Sequence, residues 1–181
     1  GTPAGDYSLV YQICEKLNPT NCDQATVTVS VTKAVIDAKD DTGTNINGFV
    51  GGTSVTNVLS NDTLNGLAVD PTKVTTTFIS ATNTGITLSG TNVVVAAGTP
   101  AGSYSLVYQI CENLNPTNCD QATVTVTVTK AVIDAIDDTG TNINGFVGGT
   151  SVTNVLSNDT LNGLAVDPTK VTTTFVSATN S

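Results

Sequence analysis

Apolar and polar residues alternate along two adjoining stretches near the start of the chain. Tyr7, Leu9, Tyr11 and Ile13 are spaced by mostly polar neighbours, as are Ala25, Val27, Val29 and Val31. A period of two, carried by β-branched and aromatic residues, predicts strands with one buried face. The connecting residues 15–21 read Glu-Lys-Leu-Asn-Pro-Thr-Asn, a turn-rich composition that folds the strands into an antiparallel hairpin. Cys14 closes the first strand and Cys22 opens the second, so the hairpin brings the two sulfurs together. The pattern returns almost unchanged at residues 104–111 and 119–128, with Cys111 and Cys119 in the same places.

Between the two hairpins the same reading predicts strands at residues 35–38, 54–59, 73–80, 85–89 and 92–96. Turn signals separate them, among them Asn65-Gly66, a pair suited to positive φ. With the hairpin this makes about seven strands in 97 residues. The expected fold is all-β: tandem Greek-key immunoglobulin-like β-sandwiches stacked end to end. Tyr7 and Tyr104 each follow a Pro- and Gly-containing turn. That is the place of a corner tyrosine whose hydroxyl ties a turn to backbone, although a plain core aromatic fits equally.

The pattern belongs to a repeat. Residues 1–84 recur at 98–181 with six differences: Asp6/Ser103, Lys16/Asn113, Ser30/Thr127, Lys39/Ile136, Ile79/Val176 and Thr84/Ser181. A unit of this size can bury its own core, unlike the short units of a solenoid. Residues 1–33 are expected to form the C-terminal hairpin of a preceding repeat, 34–130 a complete sandwich, and 131–181 the N-terminal part of the next. The chain therefore reads as a segment of a longer polypeptide. Lys130 and Ala131 join successive units without a Gly/Ser tract, which predicts limited hinge motion.

Composition supports the same class. Of the 15 acidic residues 13 are Asp, a turn residue, and Thr, Val, Asn and Gly outnumber helix formers. A net charge of −9 disfavours nucleic acid and anionic membrane as partners. The chain holds no His and no Gly-rich phosphate loop after a strand, so an enzyme is not expected. The four Cys form two Cys-x7-Cys pairs, one per repeat. Without His, zinc is a poor reading, and hairpin disulfides Cys14–Cys22 and Cys111–Cys119 are the better one. They imply an oxidising compartment outside the cytoplasm.

Residues 35–41 (Val-Ile-Asp-Ala-Lys-Asp-Asp) and 56–66 (Thr-Asn-Val-Leu-Ser-Asn-Asp-Thr-Leu-Asn-Gly) resemble the opening of bacterial cadherin-like and immunoglobulin-like tandem domains. Residues 100–111 (Pro-Ala-Gly-Ser-Tyr-Ser-Leu-Val-Tyr-Gln-Ile-Cys), with the strand that starts at Cys119, resemble repeats of the giant surface adhesins of gliding Bacteroidetes, the SprB type among them. The resemblance covers each unit nearly end to end. It implies a sandwich fold, display at the cell surface and a mechanical or spacer role.

Three candidate chemistries remain. Asp37, Asp40, Asp41 and Asp62, repeated as Asp134, Asp137, Asp138 and Asp159, are candidate calcium ligands beside a unit junction, since calcium takes several carboxylate and carbonyl oxygens. The full junction motif of cadherins is absent, and the competing reading is solvated acids that keep edge strands unpaired. Thr63 and Thr160 are candidate glycosylation sites. Asn61-Asp-Thr63 matches an N-glycan sequon, and Asp62-Thr-Leu64 resembles the O-glycosylation motif of Bacteroidetes. The same residues could instead build a turn through side-chain hydrogen bonds. Lys33 and Lys73 with their repeats offer an isopeptide crosslink only if a buried carboxylate sits beside them, and exposed Lys is the preferred reading.

The functional expectation is a structural stalk of a long surface adhesin that projects or transmits force in adhesion and gliding. No cofactor is required, with calcium an optional one. Partners are neighbouring repeats of the same chain and, through distal regions, a surface polysaccharide or substratum. An array of carbohydrate-binding modules, or the spacer of a secreted enzyme, are the alternatives. The scarcity of aromatics, with no Trp and four Tyr, argues against a sugar platform.

Overall fold

The computed structural model describes residues 1–179; Asn180 and Ser181 of the expected third repeat lie outside the described residues. The fold is all-β, and the described residues contain no α-helix. Gly1–Thr129 forms one compact unit and the residues from Lys130 onward a second.

In the first unit the strands are β1 (Gly5–Cys14), β2 (Cys22–Val31), β3 (Ile36–Asp37), β4 (Asp41–Thr42), β5 (Ile46–Asn47), β6 (Gly52–Val55), β7 (Thr63–Leu64), β8 (Leu67–Ala68), β9 (Val74–Ala81), β10 (Ile86–Ser89), β11 (Asn92–Val95), β12 (Gly102–Glu112) and β13 (Cys119–Thr129). Both predicted hairpins form in the predicted register. Cys14 faces Cys22 at the last rung of β1–β2, and Cys111 faces Cys119 at the last rung of β12–β13. Both pairs are disulfides, with Cα atoms 4.1 Å apart. That chemistry points to an oxidising, non-cytoplasmic environment.

The second hairpin is the centre of a five-stranded sheet in the order β4-β13-β12-β9, with β5 also pairing β13. A three-stranded sheet, β10-β11-β6, supplies the other layer. Alternation places Leu106, Tyr108, Ile110, Val124 and Val126 on one face of the hairpin, and all five are fully buried. Ile86, Val93 and Val95 from the second sheet close the same core, together with Val58, Leu59 and Val74. Two layers sharing one apolar core are consistent with a β-sandwich.

Two local expectations are corrected. The strand expected over 54–59 stops at Val55. The Asn57 side chain accepts the N–H of Leu59 at 3.2 Å, and the N–H of Ser60 reaches the Asn57 carbonyl at 3.3 Å, so the chain turns there. Val58 and Leu59 still enter the core, from a turn instead of a strand. Conversely, no strand is expected between 38 and 54, yet β4 and β5 pair in parallel with β13. Their pattern is too short to register as a strand; the pairing is supplied by the long edge of β13.

The Asn65-Gly66 turn adopts φ of 54° and 73°, joining β7 to β8 as its sequence predicts. Of the two readings of Tyr7 and Tyr104, the tie from hydroxyl to turn backbone is present at both. The hydroxyls of Tyr7 and Tyr104 donate to the carbonyls of Pro3 and Pro100, each at 2.9 Å.

The second unit contains β14 (Ile133–Asp134), β15 (Thr160–Leu161) and β16 (Leu164–Ala165) in one small sheet, and a 3-10 turn at Pro168–Lys170. These reproduce the β3-β7-β8 sheet of the first unit.

Disulfide removal separates the two hairpins. Converting Cys111 and Cys119 together to alanine lowers the stability of the folded repeat by about 2 kcal/mol in the chain-entropy description. The same double change at Cys14 and Cys22 leaves that repeat's denaturation midpoint unmoved, because β1 and β2 contribute nothing to its core. Urea unfolding of both variants checks this.

Candidate functional site

The sequence-predicted acids gather beneath the opening loop of the complete repeat, but in unequal roles. Asp62 is 1% exposed. Its Oδ1 accepts the N–H of Lys39 at 2.7 Å, and its two carboxyl oxygens lie 3.1 and 3.0 Å from the Tyr108 hydroxyl. The same hydroxyl lies 3.0 Å from the Val58 carbonyl and 3.3 Å from that of Lys39. Asp40 accepts the N–H of Thr123 at 2.7 Å, tying the opening loop to β13. Asp37 is exposed and pairs with Lys39 at 3.6 Å. Asp120, the counterpart of Asp23, accepts the N–H of Ala38 at 2.9 Å.

Electrostatics make the centre of this group unusual. One hydroxyl faces four oxygens and carries one proton, so another proton is favoured among them. Burial, opposed by hydrogen bonds from Lys39 and Tyr108 and aided by the charges of Asp37 and Asp120, raises the pKa of Asp62. Asp41 is raised to about 6, first by burial, then by the charge of Asp62 and, more weakly, of Asp40; the Tyr108 hydrogen bond works against this. Tyr108 is pushed well above the usual phenol range, first by burial and then by the carboxylates. Asp41 Oδ2 is buried with no hydrogen-bond partner.

The sign of the pH effect follows. The folded-state pKa of Asp41 lies above its usual 3.8, so the folded repeat holds a proton that the unfolded chain releases. Stability therefore falls as pH rises from about 4 to about 6 and is level above that. Asp41 is only half-buried, so after allowance for screening the effect is about 1 kcal/mol. Asp41→Asn removes the charge next to Asp62. It is expected to raise the melting temperature at pH 7 by a few degrees and to flatten the slope between pH 4 and pH 6, as calorimetry across pH would show.

As a calcium centre the group is poorly furnished. Among the described residues no three acids converge as a metal-binding group. Both Asp62 oxygens already meet protein donors, which leaves Asp41 Oδ2 as the one buried carboxylate oxygen open to a cation, where calcium takes six to eight.

In the second unit Asp159 repeats the role of Asp62: it is 8% exposed and accepts the N–H of Ile136 at 2.8 Å. Asn158 donates to the Asp137 carbonyl at 3.2 Å, as Asn61 does to that of Asp40 at 3.1 Å. Asp134 lies in β14, while Asp137 and Asp138 are exposed.

The glycosylation candidates sit in paired strands. Thr63 is half-buried in β7, between β3 and β8, and Thr160 occupies the same position in β15. The acid of each Asp-Thr-Leu motif is buried, so a transferase reading that acid would have to act before the repeat folds.

A second polar cluster escaped the sequence reading. Glu112 ends β12 almost fully buried. Its Oε2 accepts the N–H of Ala34 at 3.3 Å and the Asn118 amide at 3.0 Å, and that amide also reaches the Ala34 carbonyl at 2.8 Å. Burial raises its pKa, but hydrogen bonds from Asn115, Asn118 and Ala34 and the charge of Lys33 outweigh burial, and the net shift is downward. Asn115, in the same loop, accepts the N–H of Ala4 at 2.7 Å. The disulfide-closed loop of one repeat thus holds both the start of its own repeat and the base of the preceding hairpin. The available signal was that Glu occurs only at positions 15 and 112, the same place in each repeat.

No protein-family model matches the chain, and no curated protein matches it.

Proposed function

We propose that this chain is a structural stretch of a long extracellular repeat protein, a stalk of immunoglobulin-like Greek-key sandwiches that projects from the cell surface and transmits force in adhesion and gliding. The observation that carries this reading is the junction at the Cys111–Cys119 loop. There Asn115 binds Ala4 of the preceding hairpin, and Glu112 with Asn118 binds Ala34. The complete repeat thus meets the preceding hairpin through the Asn115–Ala4 hydrogen bond, held by a disulfide-closed loop, without a flexible linker. The 97-residue repeat and its resemblance to gliding adhesins support the same reading, and so do the two disulfides.

A sugar-binding role draws less support. Tyr108 is buried, and the hydroxyls of Tyr7 and Tyr104 are engaged by their own turns. The reading requires no cofactor.

Antibody against residues 34–130, applied to living parent cells, tests the proposal. Label on filaments that travel along the cell is the expected result. Static surface label removes gliding and keeps the stalk. Label found only in the medium overturns the surface role and restores the glycan-binding alternative.

A further inference from the structure

The opening and closing segments of the complete repeat run side by side in the same direction. β4 and β5 pair in parallel with β13, Asp41 and Thr42 beside Val124 and Thr125, Ile46 and Asn47 beside Val128 and Thr129. The other pairings of β12 and β13 are antiparallel. Connectivity gives the parallel pairing its meaning. The chain enters the repeat at Ala34, whose N–H and carbonyl are held by Glu112 and Asn118, beside the start of β13. It leaves at Thr129, the far end of that strand, about 35 Å away for 11 extended residues.

Tension along the chain therefore draws β4 and β5 toward the entry and β13 toward the exit. Parallel strands pulled in opposite senses slide along a common axis, so every bond between them is loaded together. Strands drawn apart from one end lose the same bonds one at a time.

The bonds are more than a backbone ladder. The N–H of Gly43 meets the Thr125 carbonyl at 2.9 Å, and that of Gly48 meets the Thr129 carbonyl at 3.0 Å. Ahead of them lie three bonds to carboxylates: Ala38 N–H to Asp120 at 2.9 Å, Lys39 N–H to Asp62 at 2.7 Å, and Thr123 N–H to Asp40 at 2.7 Å. A charged acceptor makes such a bond about twice as strong as a neutral one. Those of Asp120 and Asp40 join the entry segment directly to β13. The exchange of Lys39 for Ile136 between repeats keeps the remaining tie, because a backbone N–H makes it and Asp159 accepts that of Ile136.

We infer that residues 38–48 and β13 form the load-bearing clamp of the repeat, fastened at its entry end by Asp40 and Asp120. The inference rests on the force-transmitting reading for its purpose and not for its test. The clamp is measured on single molecules, whereas cell labelling decides where the protein sits.

Single molecules of the full chain, pulled between handles at the exposed positions Lys33 and Lys130, provide that test. Rupture of the complete repeat is recognised by a step of about 25 nm, which grows by about 3 nm when reduction opens the Cys111–Cys119 loop and frees the 8 residues it short-cuts. Moving the second handle from Lys130 to the exposed Thr117, in the loop beside the entry, loads the same strands from one end. Rupture there should need a force several times smaller. Asp40→Ala combined with Asp120→Ala should lower the force between Lys33 and Lys130, while Leu106→Ala, which removes no clamp bond, should leave it nearer the wild-type value. Equal forces in the two geometries overturn the inference, and this comparison decides alone if the double variant does not fold. A short extension at low force ahead of the main step also overturns it, since the entry segment would then peel away before bearing load. So does a double variant as resistant as the wild type.

Discussion

Leu106→Ala is expected to lower the stability of the complete repeat by about 3 kcal/mol, while Leu9→Ala in dilute solution changes it by less than about 0.5 kcal/mol. The two leucines occupy the same place in the same hairpin sequence, each followed by Val, Tyr, Gln, Ile and Cys. Leu106 is fully enclosed by core residues of both sheets, so truncation forfeits transfer energy and leaves a cavity. Leu9 is already 61% exposed and has little burial to lose. Urea unfolding followed by circular dichroism measures both. Comparable losses at the two positions would mean that the first hairpin is packed in solution.

The second large effect lies at the polar centre. Tyr108→Phe removes the one hydroxyl that faces Asp62, Val58 and Lys39 and leaves the shape of the core unchanged. Asp62 then keeps the Lys39 N–H as its one remaining partner among these groups. A buried acceptor deprived of its donor costs about 2 kcal/mol. The loss should be greater at pH 7 than at pH 4, because the raised pKa of Asp62 favours its protonation on acidification, and a neutral carboxyl left unpaired is less costly than a carboxylate. Tyr11→Phe serves as the control and should be silent at both pH values in dilute solution, since Tyr11 is 47% exposed. Thermal melts of the four combinations check the sign and the size. An equal loss at both pH values would mean that Asp62 does not change protonation in this range.

The long strands were legible because their signal is local. Alternation over ten residues in β1, β2, β12 and β13 survives any context, and the disulfides followed from Cys14 and Cys22 ending and opening neighbouring strands. The Asn65-Gly66 turn was legible for the same reason: two residues that tolerate positive φ stand together. The stop at Val55 was not, since it depends on Asn57 capturing the N–H of Leu59 in place of a ladder bond. Nor were β4 and β5, whose partner β13 lies some 80 residues away in sequence.

The acids show the same division. Their grouping at 37, 40, 41 and 62 was visible, and their chemistry was not. An Asp followed by Thr-Leu reads the same whether the carboxylate is solvated, coordinates a cation or is sealed beneath a tyrosine. Burial selects among these, and burial of Asp62 is produced by Tyr108, 46 residues further on. Repeat length, strand periodicity, the hairpins and their disulfides follow from neighbouring residues, since local sterics and side-chain alternation act over a few bonds. Which of the clustered acids is buried, and which Asp holds its proton toward neutral pH, is settled by tertiary packing. Carboxylate ionisation depends on how much water that packing removes.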